Sequence, residues 1–216
     1  MVWLLTALVA GGLAAALNSF MRARFETETR IAKTWAQVPI AAVLGGLAGM
    51  SGSLAEQVTF TVLAVASAML IVIDLGEYRL PDVIVLPLYG VLAVGLGVAA
   101  WTQDRWPALG RAALVAVAMF VLYFVMAIFA PDLGFGDVKL AGVAGGFLGW
   151  FGTPQVVAGF LLAWVLMAVV SLVLLATRVI DRKSSLPFGP YLVIGAVAGA
   201  FLGPVMFPHL PALLPF

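Results

Sequence analysis

Two aspartates in this sequence join directly onto hydrophobic runs. Asp74 ends Ile71-Val72-Ile73-Asp74, and Asp137 follows Gly134-Phe135-Gly136 and leads into Val138-Lys139-Leu140. An ionisable group at the edge of an apolar segment is costly and usually functional. Two carboxylates ~3 Å apart do not both ionise readily, so such a pair shares a proton. The ionised member can take a proton from water while the neutral member polarises a carbonyl, which is the chemistry of metal-free peptide hydrolysis. Other routes lack their residues. There is no cysteine, and the one histidine, His209, sits in the C-terminal tail. Thiolate, Ser-His and multi-His zinc mechanisms are therefore disfavoured, and no metal and no cofactor is expected.

Local electrostatics separate the acidic residues. Aspartate is a favoured N-cap, so for Asp137 a capping role and a functional one carry about equal weight. Asp74 closes a helix, where the dipole disfavours negative charge, and that placement suggests a role. The dipoles favour an ionised Asp137 as base and a neutral Asp74 as acid. Asp82 after Pro81 reads as a helix opening. Asp132 after Pro131 shapes a turn, and Glu77 is solvated or paired with Arg79. Glu56 and Asp104 fall in outer loops, and Glu26, Glu28 and Asp181 in solvated inner ones. Gly134 and Gly136 permit positive φ or the close approach of another backbone. Lys139 either neutralises a carboxylate or snorkels to the interface.

The elements that must position these residues are membrane spans. The chain has 216 residues, 64% hydrophobic and 10% charged, with mean hydropathy +1.16. That leaves too little polar surface for a water-soluble globule. The net charge of +1 provides no basic stripe for nucleic acid. A span needs about 20 mostly apolar residues. The stretches that qualify are 2–19, 36–52, 58–73, 83–101, 112–130, 138–151, 156–177 and 188–206, the second and sixth being short and glycine-rich. None alternates with period two, so the fold expected is an all-α polytopic bundle of about eight transmembrane helices, forming a single domain over 1–216. The N-terminal stretch lacks the preceding positive charge of a signal peptide and reads as a retained span with its N-terminus outside. Arg22, Arg24, Arg30, Lys33, Arg79, Lys139, Arg178, Arg182 and Lys183 then fall inside, leaving only Arg105 and Arg111 outside, as the positive-inside rule expects. Asp74 and Asp137 fall on the same, cytoplasmic side, where the third and sixth spans could bring them together. In the sixth span Gly142, Gly145, Gly146 and Gly149 form small-xxx-small pairs, read as helix packing.

The run Gly134-Phe135-Gly136-Asp137-Val138-Lys139-Leu140 resembles the G-x-G-D-x-K signature of type IV prepilin peptidases, membrane aspartic proteases of pilin-like precursors. Asp74 followed by Leu80-Pro81-Asp82 resembles that family's first catalytic aspartate and its Pro-Asp/Asn turn. Pro187-Phe188-Gly189-Pro190-Tyr191 is similar to its P-F-G-P segment, and Asn18-Ser19-Phe20…Arg24 faintly to its G-S-F…R. The resemblance covers roughly residues 55–205. It implies catalytic Asp74 and Asp137, a loop built on Gly134, Gly136 and Lys139, and cleavage of a short basic leader ahead of a hydrophobic helix. Many bacterial members carry a cytoplasmic insert with paired Cys-x-x-Cys motifs. Here that loop is short and lacks cysteine, as in the compact Flp/Tad-type or archaeal preflagellin enzymes, and N-methylation of the product lies outside what the resemblance implies.

The activity expected is endopeptidase cleavage of pilin-like precursors at the inner face of the cytoplasmic membrane. The partners are a bilayer-anchored precursor and the lipid bilayer, with no nucleic acid. The rivals are a proton-coupled transporter, which would more naturally hold its acids near the midplane, and a non-catalytic subunit of a pilus or secretion assembly.

Overall fold

The computed structural model describes residues 1–20, 35–130, 133–181 and 184–210. The basic loop with Arg22, Arg24, Arg30, Lys33, Glu26 and Glu28 lies outside them, as do Pro131, Asp132, Arg182 and Lys183. Among the described residues there are helices and no strands. The helices are α1 (Val2–Ala16), α2 (Gln37–Ala48), α3 (Leu54–Glu77), α4 (Asp82–Gln103), α5 (Trp106–Phe129), α6 (Phe135–Phe151), α7 (Thr153–Ala176) and α8 (Gly189–Met206). They fall into two compact units, Met1–Arg105 and Trp106–Phe216.

Six helices are long and apolar enough to cross a membrane: α1, which continues to Phe20, together with α3, α4, α5, α7 and α8. The chain is therefore an all-helical membrane protein. The two glycine-rich stretches are the ones that fall short. Helix α2 has 12 residues and extends only about 18 Å, against a hydrocarbon core of ~30 Å. Its end is set by the turn that Gly49, Met50 and Ser51 make as their N–H groups bond back to Gly45, Leu47 and Ala48. Helix α6 has 17 residues.

In the first unit α3 is the central helix, with most of its residues from Thr59 to Asp74 buried. Helices α1 and α2 close on it through small side chains: Ala10, Ala14 and Ala41 form a core with Val65, Ala68, Met69 and Ile73. Glycines set the α1–α2 distance, since a Cβ on Gly45 would stand 2.8 Å from the Thr6 carbonyl oxygen. Apolar side chains such as Leu5, Leu8, Val94 and Trp101 remain exposed, as expected where the surrounding solvent is lipid.

The sequence reading underrated Glu56. It is 2% exposed and closes a capping box with Ser53 at the start of α3. Its Oε2 accepts from the Gly52 and Ser53 N–H groups. Its Oε1 takes the Arg105 guanidinium at 3.0 Å, and Gln103 Nε2 also donates to it. The start of α3 is thereby tied to the end of α4. Glu56→Ala removes the cap and leaves the half-exposed Arg105 without this partner. A loss of about 3 kcal/mol is expected, measurable as a lower unfolding midpoint in a denaturing-detergent titration.

In the second unit α6 is the buried helix, with Asp137, Val138 and most residues from Leu140 to Trp150 covered. Gly145 and Gly149 let it lie close to α5: a Cβ on Gly149 would come 2.9 Å from Ala112 Cα. Arg111 fixes the same end, its Nε donating to the Gly149 carbonyl at 2.7 Å and its Nη2 to that of Trp150 at 3.1 Å. Helices α7 and α8 pack through Gly195, Gly199 and Gly203, one per turn, against Gln155, Gly159 and Ala163.

Candidate active site

Each candidate aspartate sits on the buried central helix of its own unit. Asp74 lies in the last turn of α3 and is 3% exposed. Its carbonyl accepts the Tyr78 N–H at 2.9 Å. Tyr78 ends the helix in the left-handed conformation at φ 54°, and Pro81, three residues later, is the N-cap of α4. Asp74 is therefore close to the free carbonyl groups of a helix C-terminus, the local setting that disfavours its charge. Glu77, one turn on, pairs with Arg79 at 2.6 Å, one of the two alternatives read from the sequence. Asp82 occupies the first turn of α4 with Pro81 at the N-cap.

Asp137 is 9% exposed and stands in the first turn of α6. The N-cap is Gly134, three residues earlier, whose carbonyl accepts the Asp137 N–H at 3.0 Å. Asp137 is thus not itself the capping residue, though it shares the favourable positive end of the helix. The glycines do not act through positive φ. Gly134 has φ −65° and ψ 144°, open to any residue, and Gly136 is helical. At Gly134 the missing side chain matters for space: a Cβ there would stand 3.2 Å from Asp137 Oδ2. Lys139 extends back over Phe135, with Nζ 4.7 Å from the ring centroid, and Phe135 is half exposed. This cation–π placement holds the ammonium at the helix start.

An aromatic group that the sequence reading did not single out completes this end of the second unit. Tyr123 of α5 is 1% exposed and accepts the Trp164 indole N–H at 2.9 Å. Phe188, from the Pro187–Tyr191 segment, packs on both, with ring centroids 5.9 Å from Tyr123 and 4.9 Å from Trp164. The signal was present in the sequence as a single phenol within an otherwise apolar span, between Leu122 and Phe124. Among the described residues no three of His, Cys, Asp and Glu gather as a metal site would require.

The chain resembles known proteins in its central part. A family model described as the type IV leader peptidase family matches residues 61–176, a range that contains Asp74, Gly134, Gly136, Asp137 and Lys139. A prepilin leader peptidase/N-methyltransferase of Burkholderia pseudomallei is 35% identical over 165 residues, which is 74% of this chain and 50% of the relative. One from Legionella pneumophila is 31% identical over 154 residues, 68% of this chain and 51% of the relative. One from Pseudomonas aeruginosa is 31% identical over 126 residues, 56% of this chain and 41% of the relative. The chain thus spans about half the length of these curated relatives. No solved structure matches it. With more than half of its length matched by the family model, across both buried aspartates, the chain belongs to the type IV leader peptidase family.

Proposed function

We propose that this protein is a membrane-embedded aspartic endopeptidase, a single domain formed by both units, that cleaves the leader from type IV pilin-like precursors at the cytoplasmic face of the inner membrane. The observation that carries the reading is the burial of two carboxylates, Asp74 and Asp137, each at one end of the most enclosed helix of its unit. The reading counts α2 and α6 as spans along with the six longer helices; alternation of eight spans would then send both helix ends to one side, and the excess of Lys and Arg in the loops of that side supports taking it as cytoplasmic.

In the proposed reaction Asp137, at a helix N-terminus, is ionised and takes a proton from the attacking water. Asp74, at a helix C-terminus, is protonated and donates a hydrogen bond to the scissile carbonyl. The water oxygen adds to the carbonyl carbon, and the tetrahedral intermediate collapses as a proton passes to the leaving amine. One new acid and one new amine result, and the pair returns to sharing one proton. Gly134 leaves room for an extended substrate backbone beside Asp137, and Lys139 holds positive charge near that carboxylate.

The direct test is to purify the chain in detergent and incubate it with a pilin-like precursor. Release of the leader by mass spectrometry supports the reading, and an intact precursor after prolonged incubation rejects it. Gly134→Ala probes the loop. The backbone there accepts alanine, so stability should hold or rise by about 0.5 kcal/mol. The Asp137 carboxylate must shift by a few tenths of an ångström, and kcat should fall about tenfold.

A further inference from the structure

Gln37 is the first residue of α2 and is 1% exposed. Its Nε2 donates to Asn18 Oδ1 at 2.8 Å, and Asn18 is 5% exposed. Its Oε1 is buried and, among the described residues, has no hydrogen-bond partner. A buried amide oxygen without a donor is destabilising, and where one persists in a folded protein it calls for an explanation.

The location supplies one. Val38, the next residue, packs on the cluster that contains Ala14, Ala41 and Ile73, and Ile73 immediately precedes Asp74. Asn18 and Gln37 therefore lie at the end of the first unit to which α3 delivers its aspartate. Asn18 holds the Gln37 amide by its nitrogen and leaves the oxygen as an acceptor beside that end. We propose that Gln37 Oε1 accepts a backbone N–H of an extended peptide bound across Asp74, so that Gln37 is a substrate-positioning residue with Asn18 orienting it. This rests on the peptidase reading above. The ligand chemistry is that of a peptide main chain, which presents N–H groups whatever its side chains. The contact acts on binding and register rather than on the reacting atoms.

The test uses the full chain in detergent and a series of precursor peptides, each N-methylated at one backbone amide near the scissile bond. In the wild type, N-methylation at one position should raise KM about tenfold. Gln37→Leu should raise KM for the unmodified peptide by a similar factor with kcat within about twofold, and that one N-methyl group should then have no further effect. Gln37→Met, which keeps an unbranched chain without the acceptor, serves if the leucine variant does not accumulate. If every N-methyl penalty survives in these variants, as when water meets the amide oxygen, the assignment is overturned and the peptidase reading stands. Failure of the wild type to cleave any peptide overturns both.

Discussion

Asp74→Asn and Asp137→Asn are each expected to reduce precursor cleavage by about 10³-fold or more, with unfolding midpoints close to that of the parent. Asparagine keeps the volume of aspartate and can still accept hydrogen bonds, so both buried sites should remain filled. In the proposed mechanism the loss at residue 137 is that of the proton acceptor. At residue 74 it is that of the acid proton, since an amide N–H polarises a carbonyl more weakly. In the proposed mechanism the two carboxyls act as one unit, so the double variant should be hardly worse than either single one. Asp82→Asn is the comparison: it lies in the first turn of α4 and should cost cleavage no more than a few-fold. Either catalytic variant retaining a tenth of the parental rate would exclude the shared-proton mechanism, and a non-catalytic assembly role would then gain.

The largest effect on folding is expected at the α7–α8 contact. A Cβ on Gly195 would stand 2.6 Å from Ala163 N and from the Gly159 carbonyl oxygen, and one on Gly203 2.6 Å from Gln155 Cα. These neighbours are backbone atoms of a regular helix and cannot rotate aside as a side chain would. Gly195→Ala should therefore force α7 and α8 apart, with a loss of about 3 kcal/mol or more. Gly97→Ala, with nothing within 4 Å of its Cβ, should be neutral or slightly stabilising, as helix propensity favours alanine over glycine. Thermal unfolding of both variants in the same detergent separates the two cases, and equal midpoints would show that the helices adjust freely.

The helical, membrane-spanning character was legible because length and apolarity almost alone determine it. Asp74 and Asp137 were legible as exceptions to that apolarity, and their placement at a C-terminal and an N-terminal helix end follows from span boundaries alone. What was missed depends on partners distant in sequence. Ser53-Leu54-Ala55-Glu56 fits the Ser-x-x-Glu capping signal, yet Arg105 approaches it from 49 positions away. Likewise, Gly195, Gly199 and Gly203 repeat every fourth residue, but only the backbone of α7 shows what that repeat accommodates. The shortness of α2 was hidden because an apolar, glycine-rich stretch looks the same whether it crosses a bilayer or ends early in a turn. Of the two things glycine permits before Asp137, positive φ is not used: Gly134 takes an ordinary extended conformation, and its missing side chain leaves space beside the Asp137 carboxylate.

The tie between Glu56, Ser53 and Arg105 has a mechanical consequence. It anchors α3 at the end away from Asp74, which lies 18 positions beyond Glu56 on an unbroken helix, a rod about 27 Å long. A rod clamped at one end cannot slide along its axis, so the level at which Asp74 is presented is set by a fastening on the far side. Lengthening the rod by one residue would both lower the carboxyl by ~1.5 Å and swing it by about 100°.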